Sequence, residues 1–357
     1  MKALKLLCTA LSAVLFCVLF SSCAGSNENS FFSLSDNYYI YSDFMSSPQT
    51  IKKMNLSTGE ITPLCTDPLC THDTEDCLFF EAVCCVTSGN TVFFTRSKND
   101  LKLGSDGIYR VEESICSYDY DTGEFKILCS FDADNKSTAQ GRLDCMNGYV
   151  YFYRSNPDTE FIEFKLYRVP ENGGKITDLD LSVPWFHSKM FDGRIYFNDN
   201  VSVLYSTDEL GGDKRIIKTY ENNSQSGYSG FCEGKVYITN YFGDRYEFAE
   251  IDTETGKERV RYTLIDGKPK LLVQTDDGIY FTIEDKSIEN DESKGNYAYT
   301  EQFGGKIYRL DKNDKVTTVF DDPSVNILTL TSTGKKIVVT KIIFGGDKNI
   351  KEMFVLD

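Results

Sequence analysis

The chain carries one tryptophan and only two histidines, His72 and His187. It contains no Gly-x-Ser-x-Gly, no P-loop, no His-Glu-x-x-His and no Gly-x-Gly-x-x-Gly. These absences exclude the nucleophile elbow, the phosphate-cradling loop, the helical zinc-protease site and the dinucleotide fingerprint. Positive charge is in deficit, with 38 Lys plus Arg against 54 Asp plus Glu and a net charge of −16. That balance argues against nucleic acid as a partner and against an electrostatic grip on anionic lipid. No stretch sustains the 3.6-residue apolar period of an amphipathic helix. A long apolar run occurs once, from Leu6 to Phe20, broken only by Thr9 and Ser12.

That run follows Lys2 and Lys5 and is short for a membrane span, so residues 1–22 read as an export signal. It ends in Phe20-Ser21-Ser22-Cys23, which resembles the bacterial lipobox, with Phe where Leu is usual. In that motif the cysteine is diacylated and becomes the new N-terminus. The expected organisation is therefore a lipoprotein signal over 1–22 and a lipidated tether over 23–30, with Cys23 modified. A single β domain follows over 31–357. Acyl chains on Cys23 would hold the protein to the bilayer on the extracytoplasmic side of the cell membrane.

Aromatics are plentiful, with 22 tyrosines and 25 phenylalanines, which suits half-buried pleated surfaces. Many sit in a repeated strand that opens on a turn glycine: Gly148-Tyr-Val-Tyr-Phe152, Gly193-Arg-Ile-Tyr-Phe197, Gly234-Lys-Val-Tyr-Ile238, Gly278-Ile-Tyr-Phe281 and Gly334-Lys-Lys-Ile-Val-Val339. Weaker copies begin at Asp36 and Gly89. The central copies step by 45, 41 and 44 residues, and the outer steps are lengthened by polar insertions at 96–106 and 284–300. A unit of about 40–45 residues built from four strands is a propeller blade. Within the units a turn recurs as Asn55-Leu-Ser-Thr-Gly59, Asp119-Tyr-Asp-Thr-Gly123 and Asp252-Thr-Glu-Thr-Gly256, where Asp or Asn accepts from the turn backbone and Gly takes a positive φ. Seven units are expected, beginning near residues 31, 83, 140, 182, 227, 270 and 324, with six or eight blades as the competing counts. Closing strands are expected at 61–64, 125–128, 175–177 and 316–320. The last unit shows three strands, and residues 30–35 either open the first blade or complete the last.

The unusual chemistry is concentrated in Cys65-Thr-Asp-Pro-Leu-Cys70-Thr-His72-Asp-Thr-Glu-Asp-Cys77, placed between the first and second units. Cys65, Cys70, His72 and Cys77 form a Cys3His set suited to one tetrahedral structural Zn2+. Asp67, Asp73, Glu75 and Asp76 add negative charge around it. A disulfide-stapled loop is the favoured reading of the two, because exported cysteines often pair. The vicinal Cys84 and Cys85 are expected to point to opposite faces of a strand. Cys116, Cys129, Cys145 and Cys232 read as buried small apolar residues.

The lipobox, the Tyr-rich units and the Leu-Cys-Thr-Asp-Pro-Leu-Cys-Thr-His segment together resemble a family of bacterial β-propeller lipoproteins. Their blades are similar to the low-density-lipoprotein-receptor-type (YWTD-like) repeat. The resemblance spans roughly residues 30–357 and implies a propeller fold and an export anchor, but no particular activity. The favoured functional reading is a surface-anchored binding or scaffold module for a protein or glycan, not an enzyme. Trp185 and His187 could stack on a sugar, and Tyr297, Tyr299 and Phe303 lie in an insertion of the kind that forms a binding rim. One alternative is a carbohydrate-active lyase or hydrolase using carboxylates around a central channel. A second is an envelope assembly factor.

Overall fold

The structure is a computed structural model that describes residues 32–34, 37–43, 50–97, 102–103, 109–134, 139–155, 163–184, 188–199, 203–219, 226–232, 235–265, 267–283, 304–332, 336–343 and 350–356. Among these residues there is no helix, and the strands form seven successive antiparallel sheets. The chain is a seven-bladed, all-β propeller with blades built on a four-stranded pattern. Its residues fall into two compact units, Asn29–Ser224 and the segment from Gln225 to Asp357.

The first unit holds four sheets. The first comprises β1 (Phe32–Leu34), β2 (Tyr38–Ser42), β3 (Ile51–Asn55) and β4 (Ile61–Pro63). In the second, β5 (Ala82–Ser88), β6 (Thr91–Ser97), β8 (Tyr109–Asp119) and β9 (Phe125–Asp134) are joined by the two-residue β7 (Lys102–Leu103). The third is β10 (Ala139–Met146), β11 (Tyr149–Ser155), β12 (Glu163–Pro170) and β13 (Thr177–Pro184). The fourth is β14 (Ser188–Phe191), β15 (Arg194–Asp199), β16 (Val203–Asp208) and β17 (Arg215–Thr219).

The second unit holds three sheets. The fifth sheet is β18 (Ser226–Cys232), β19 (Lys235–Tyr241), β20 (Tyr246–Asp252) and β21 (Glu258–Leu264). The sixth is β22 (Pro269–Thr275), β23 (Gly278–Ile283), β24 (Lys306–Asp311) and β25 (Val316–Asp321). The seventh is β26 (Val325–Ser332), β27 (Ile337–Ile343) and β28 (Ile350–Leu356), three strands among the described residues. β1 pairs with β2, so the segment near residue 32 opens the first blade.

The recurrent Gly-x-aromatic run is the second strand of its sheet, and its register explains the choice of residues. Phe152 faces Tyr167, Phe197 faces Tyr205 and Phe281 faces Tyr308 across the second and third strands. In all three blades the ring centroids are 5.6 Å apart. Each such pair adds about 0.5–1.5 kcal/mol beyond the area it buries. The closing strand expected at 175–177 runs instead over Thr177–Pro184. The Gly173-Gly174 turn delays it, and Leu179, Leu181 and Val183 then alternate inward onto the third sheet.

The turns between third and fourth strands are built alike. The Oδ1 of Asp119 accepts from the backbone N–H of Asp121 at 3.0 Å and Thr122 at 2.8 Å, and Asn55 and Asp252 make the same bonds. Gly123, at φ +74°, closes the loop in the left-handed region. These turns also dock on the preceding blade of the same unit. Gly211 sits at φ +82°, where a Cβ would come 2.8 Å from the carbonyl oxygen of Leu179. Arg261 donates to the carbonyl of Asp311 and, at 2.8 Å, to the carboxylate of Asp314.

Between the first two sheets the core gathers Ile40, Ile51, Leu64, Cys77, Phe79, Val92, Phe94, Cys116 and Tyr118. Phe79 is its hub, 5.2 Å from the Phe94 ring and 5.0 Å edge-on to Tyr118. Cys84 and Cys85 do point apart, toward Thr95 Oγ1 at 3.1 Å and the Ile40 carbonyl at 3.7 Å. Cys116 is buried and Cys129 and Cys145 are half-buried.

Two outcomes follow for stability. Phe79→Ala should cost about 3–5 kcal/mol in urea unfolding, as deletion of a buried aromatic hub does; a loss under about 1 kcal/mol would show that the inter-sheet core can collapse around the gap. Hydrogen bonds from the Thr122 backbone, the Thr255 hydroxyl and the Lys315 backbone, respectively, hold the carboxyls of Asp119, Asp252 and Asp311 below the usual carboxylate range. A depressed folded-state value means that stability is fully present above the unfolded value of about 4 and is lost as pH falls through the folded one. The triple variant Asp119→Asn, Asp252→Asn, Asp311→Asn should therefore lose less stability than the wild type between pH 7 and pH 3. Equal losses would show that these carboxylates do not drive acid unfolding.

Candidate metal centre

Residues 64–81 connect β4 to β5 and rest on apolar anchors at both ends. Leu64 donates its N–H to the Ile51 carbonyl at 2.9 Å and is fully buried. Phe79 is equally buried at the other end. Between them the segment folds through tight turns. Asp67 Oδ1 accepts from Leu69 N at 2.9 Å, while its carbonyl accepts from Cys70 N at 3.2 Å. Cys77 N donates to the Thr74 carbonyl at 3.1 Å, and Phe80 N to that of Cys77 at 3.2 Å. Thr71 donates to the carboxylate of Asp73. Arg96, from β6, donates to the carbonyl of Glu75 at 2.8 Å and ties the knuckle to the second sheet.

These turns bring Cys65, Cys70, His72 and Cys77 together. One ligand atom from each lies within 4.8 Å of every other, and the Cys77 sulfur is 3.7 Å from His72 Nδ1. Cys77 is buried and the other three are half-buried. His72 holds φ +62°, in the left-handed region where Asn, Asp and His are the most frequent residues after glycine. Burial pushes the Cys77 thiol up to about 12 and also raises that of Cys65. Three thiols and an imidazole at these separations match the donor set of a closed tetrahedral site, with no position left for substrate. Cys65 and Cys70 pack against the same inter-sheet core that holds Cys77 and Phe79.

The remaining candidates have different fates. Cys23, Trp185, His187, Tyr297, Tyr299 and Phe303 lie outside the described residues. For all but Cys23 the flanking strands are described. Residues 185–187 join β13 to β14, and 284–305 join β23 to β24. In an antiparallel meander the second-to-third and fourth-to-first connections leave from one end of the sheet, and the other two classes leave from the opposite end. The described strands that flank residues 64–81, 98–108, 156–162 and 284–305 all meet them at the first end of their own sheets. The opposite end is closed by short turns such as 89–90, 147–148 and 276–277.

One polar cluster gave no motif in the sequence. Arg142 Nε donates to Asp144 Oδ2 at 3.0 Å, and Tyr153 donates to the same oxygen at 3.1 Å. Ser188 donates to the Tyr153 oxygen at 3.2 Å and stands 3.5 Å from an Arg142 nitrogen. The four come from β10, β11 and β14, and no spacing rule links them. Among the described residues, Asp144 is the only carboxylate on the first strands of the seven sheets. It is already engaged by a guanidinium and a phenol.

No family model matches the chain, and no curated protein matches it. Solved structures do. An oligogalacturonate lyase in complex with manganese is 15% identical, with a TM-score of 0.59 over 90% of this chain and 86% of that one. The oligogalacturonate lyase of Vibrio parahaemolyticus is 14% identical, with a TM-score of 0.59 over 92% and 89%. The β-propeller domain of the Trilobed protease of Pyrococcus furiosus is 11% identical, with a TM-score of 0.56 over 92% and 95%. At these identities the likeness is one of fold, and it agrees with the β-propeller built by the seven sheets.

Proposed function

We propose that this chain is an exported lipoprotein whose propeller presents a binding face to a protein or glycan, with residues 65–77 held by a structural zinc ion. The observation that carries the binding role is the division between the two ends of each sheet. Every connection of more than six residues leaves from one end, and turns of two to six residues close the other. Rigid sheets carrying variable loops at one end form a display scaffold. Tyr297, Tyr299 and Phe303 belong to the longest of these connections, 284–305, and Trp185 and His187 to the three-residue connection 185–187 that leaves from the same end. Cys23 after Ser21-Ser22 supports the anchor, and the bilayer is then the first partner.

A lyase or hydrolase is supported only by similarity of fold to the oligogalacturonate lyases. Paired-carboxylate glycosidases need two acids facing one bond, and among the described residues the first strands offer Asp144 alone. Manganese, named with one lyase, prefers oxygen ligands, whereas three thiolates and an imidazole suit zinc.

Three measurements test this reading. In cells, Cys23→Ala should move the protein from the membrane fraction to the soluble fraction; retention in the membrane would remove the lipid anchor. On arrays of peptides and glycans, the mature chain should bind a defined set, and Tyr297→Ala, Tyr299→Ala, Phe303→Ala together should abolish that binding. Binding that is unchanged would place the ligand elsewhere. Elemental analysis of the chain, purified without metal-affinity resin, should find about one zinc per molecule. Cys70→Ala should lose the zinc and lower Tm, and a metal-free chain with two thiols of the cysteine trio oxidised would replace the zinc with a disulfide.

A further inference from the structure

This inference rests on the zinc reading of residues 65–77. We propose that the centre is a thiol–disulfide exchanger that trades its zinc for a Cys65–Cys70 disulfide on meeting a small cationic disulfide.

Three features of the site carry this. The first is access. Cys65 and Cys70 are half-buried, whereas Cys77 is sealed in the core between the first two sheets, so a small oxidant meets Cys65 or Cys70 first. The second is geometry. The Cys70 N–H closes a turn on the Asp67 carbonyl, and the sulfurs of Cys65, Cys70 and Cys77 all lie within 4.8 Å of one another, so access rather than distance selects Cys65 and Cys70. A sulfur–sulfur bond needs only a modest closing motion from there. The third is charge. Asp67, Asp73, Glu75 and Asp76 are all exposed around the knuckle. Such a ring concentrates small cations and repels anions.

The chemistry balances with the disulfide as oxidant. One zinc-bound thiolate, at Cys65 or Cys70, attacks a sulfur of the incoming disulfide and expels one small thiolate. The second thiolate then attacks the protein sulfur of the mixed disulfide, forming Cys65–Cys70 and expelling the other small thiolate. Two electrons pass from the two cysteines to the oxidant, and the released thiolates take protons from water. Zinc is left with Cys77 and His72 and departs as Zn2+. Leu64 and Phe79 stay buried, so the blades keep their packing while residues 71–76 are released.

The zinc-loaded mature chain is treated with cystamine, a dicationic disulfide, or with glutathione disulfide, an anionic one. A chromogenic chelator follows zinc, and alkylation with mass spectrometry counts thiols. The expected result is release of one zinc per chain with loss of two thiols, a peptide linking Cys65 to Cys70, and recovery on adding dithiothreitol and zinc. Cystamine should act about tenfold faster than glutathione disulfide at low salt, and the ratio should shrink in 0.5 M salt. Asp73→Asn, Glu75→Gln, Asp76→Asn together should shrink the ratio without changing zinc content. Zinc retained with all thiols intact, or a disulfide that uses Cys77, overturns the exchange and leaves the zinc site standing. A ratio unmoved by salt and by the triple variant overturns the selectivity for cationic disulfides. A chain that holds no zinc at the outset overturns both the exchange and the metal reading beneath it.

Discussion

The second strand of each blade is buried on both faces, and this constraint organises the rest of the chain. Val92 to Thr95, Val150 to Tyr153 and Val236 to Asn240 are runs in which every residue is sequestered, although neighbouring side chains point to opposite sides of the sheet. A sheet with two apolar faces cannot be satisfied by one layer of packing. It needs a further sheet against each face, which is why the chain repeats the same meander. The cross-strand Phe–Tyr pairs and the Asx turns then fix register inside each sheet. The arginine and glycine contacts from turn to neighbouring strand fix one sheet on the next within a unit.

That burial pattern made the architecture legible. Because both faces are covered, the diagnostic strand is a continuous apolar run after a glycine, and it stands out at Gly148, Gly193, Gly278 and Gly334. The expected starts near 83, 140, 227, 270 and 324 lie within a residue of the strands that open those sheets. The fourth sheet begins at Ser188, later than expected, because β13 runs on to Pro184. A third-to-fourth turn carrying two glycines leaves strand entry undetermined by local pattern. β7 escaped notice because two residues of pairing leave no periodicity.

The functional residues were legible to a lesser degree, for a physical reason. Sequence spacing marked Cys65, Cys70, His72 and Cys77 as a set, but spacing carries no side-chain direction and left metal and disulfide both open. The convergence of all four donors depends on the turns at Asp67–Cys70 and Thr74–Cys77 and on the left-handed His72. The Arg142–Asp144–Tyr153–Ser188 network was invisible because its members are single polar residues on three strands. Only the register of β10 with β11 and the placement of β14 beside β10 bring them together.

A four-donor cluster at this particular connection also has a physical logic. Residues 64–81 are too long to be a tight turn and too polar to build a core. Between Leu64 and Cys77 the one large aliphatic residue is Leu69, and it is 89% exposed. Such a segment gains little from burial and pays the full conformational entropy of being ordered. Coordination of a metal ion by the four donors would offset that cost with bonds that require no apolar volume, next to Cys77 and Phe79, which the inter-sheet core already holds. Ordering of the knuckle and packing of the first two blades are then linked through one cysteine. Leu64 and Phe79, the apolar anchors on either side, are buried in their own right, so the packing of the sheets at both ends of the loop rests on apolar contacts and not on the four donors.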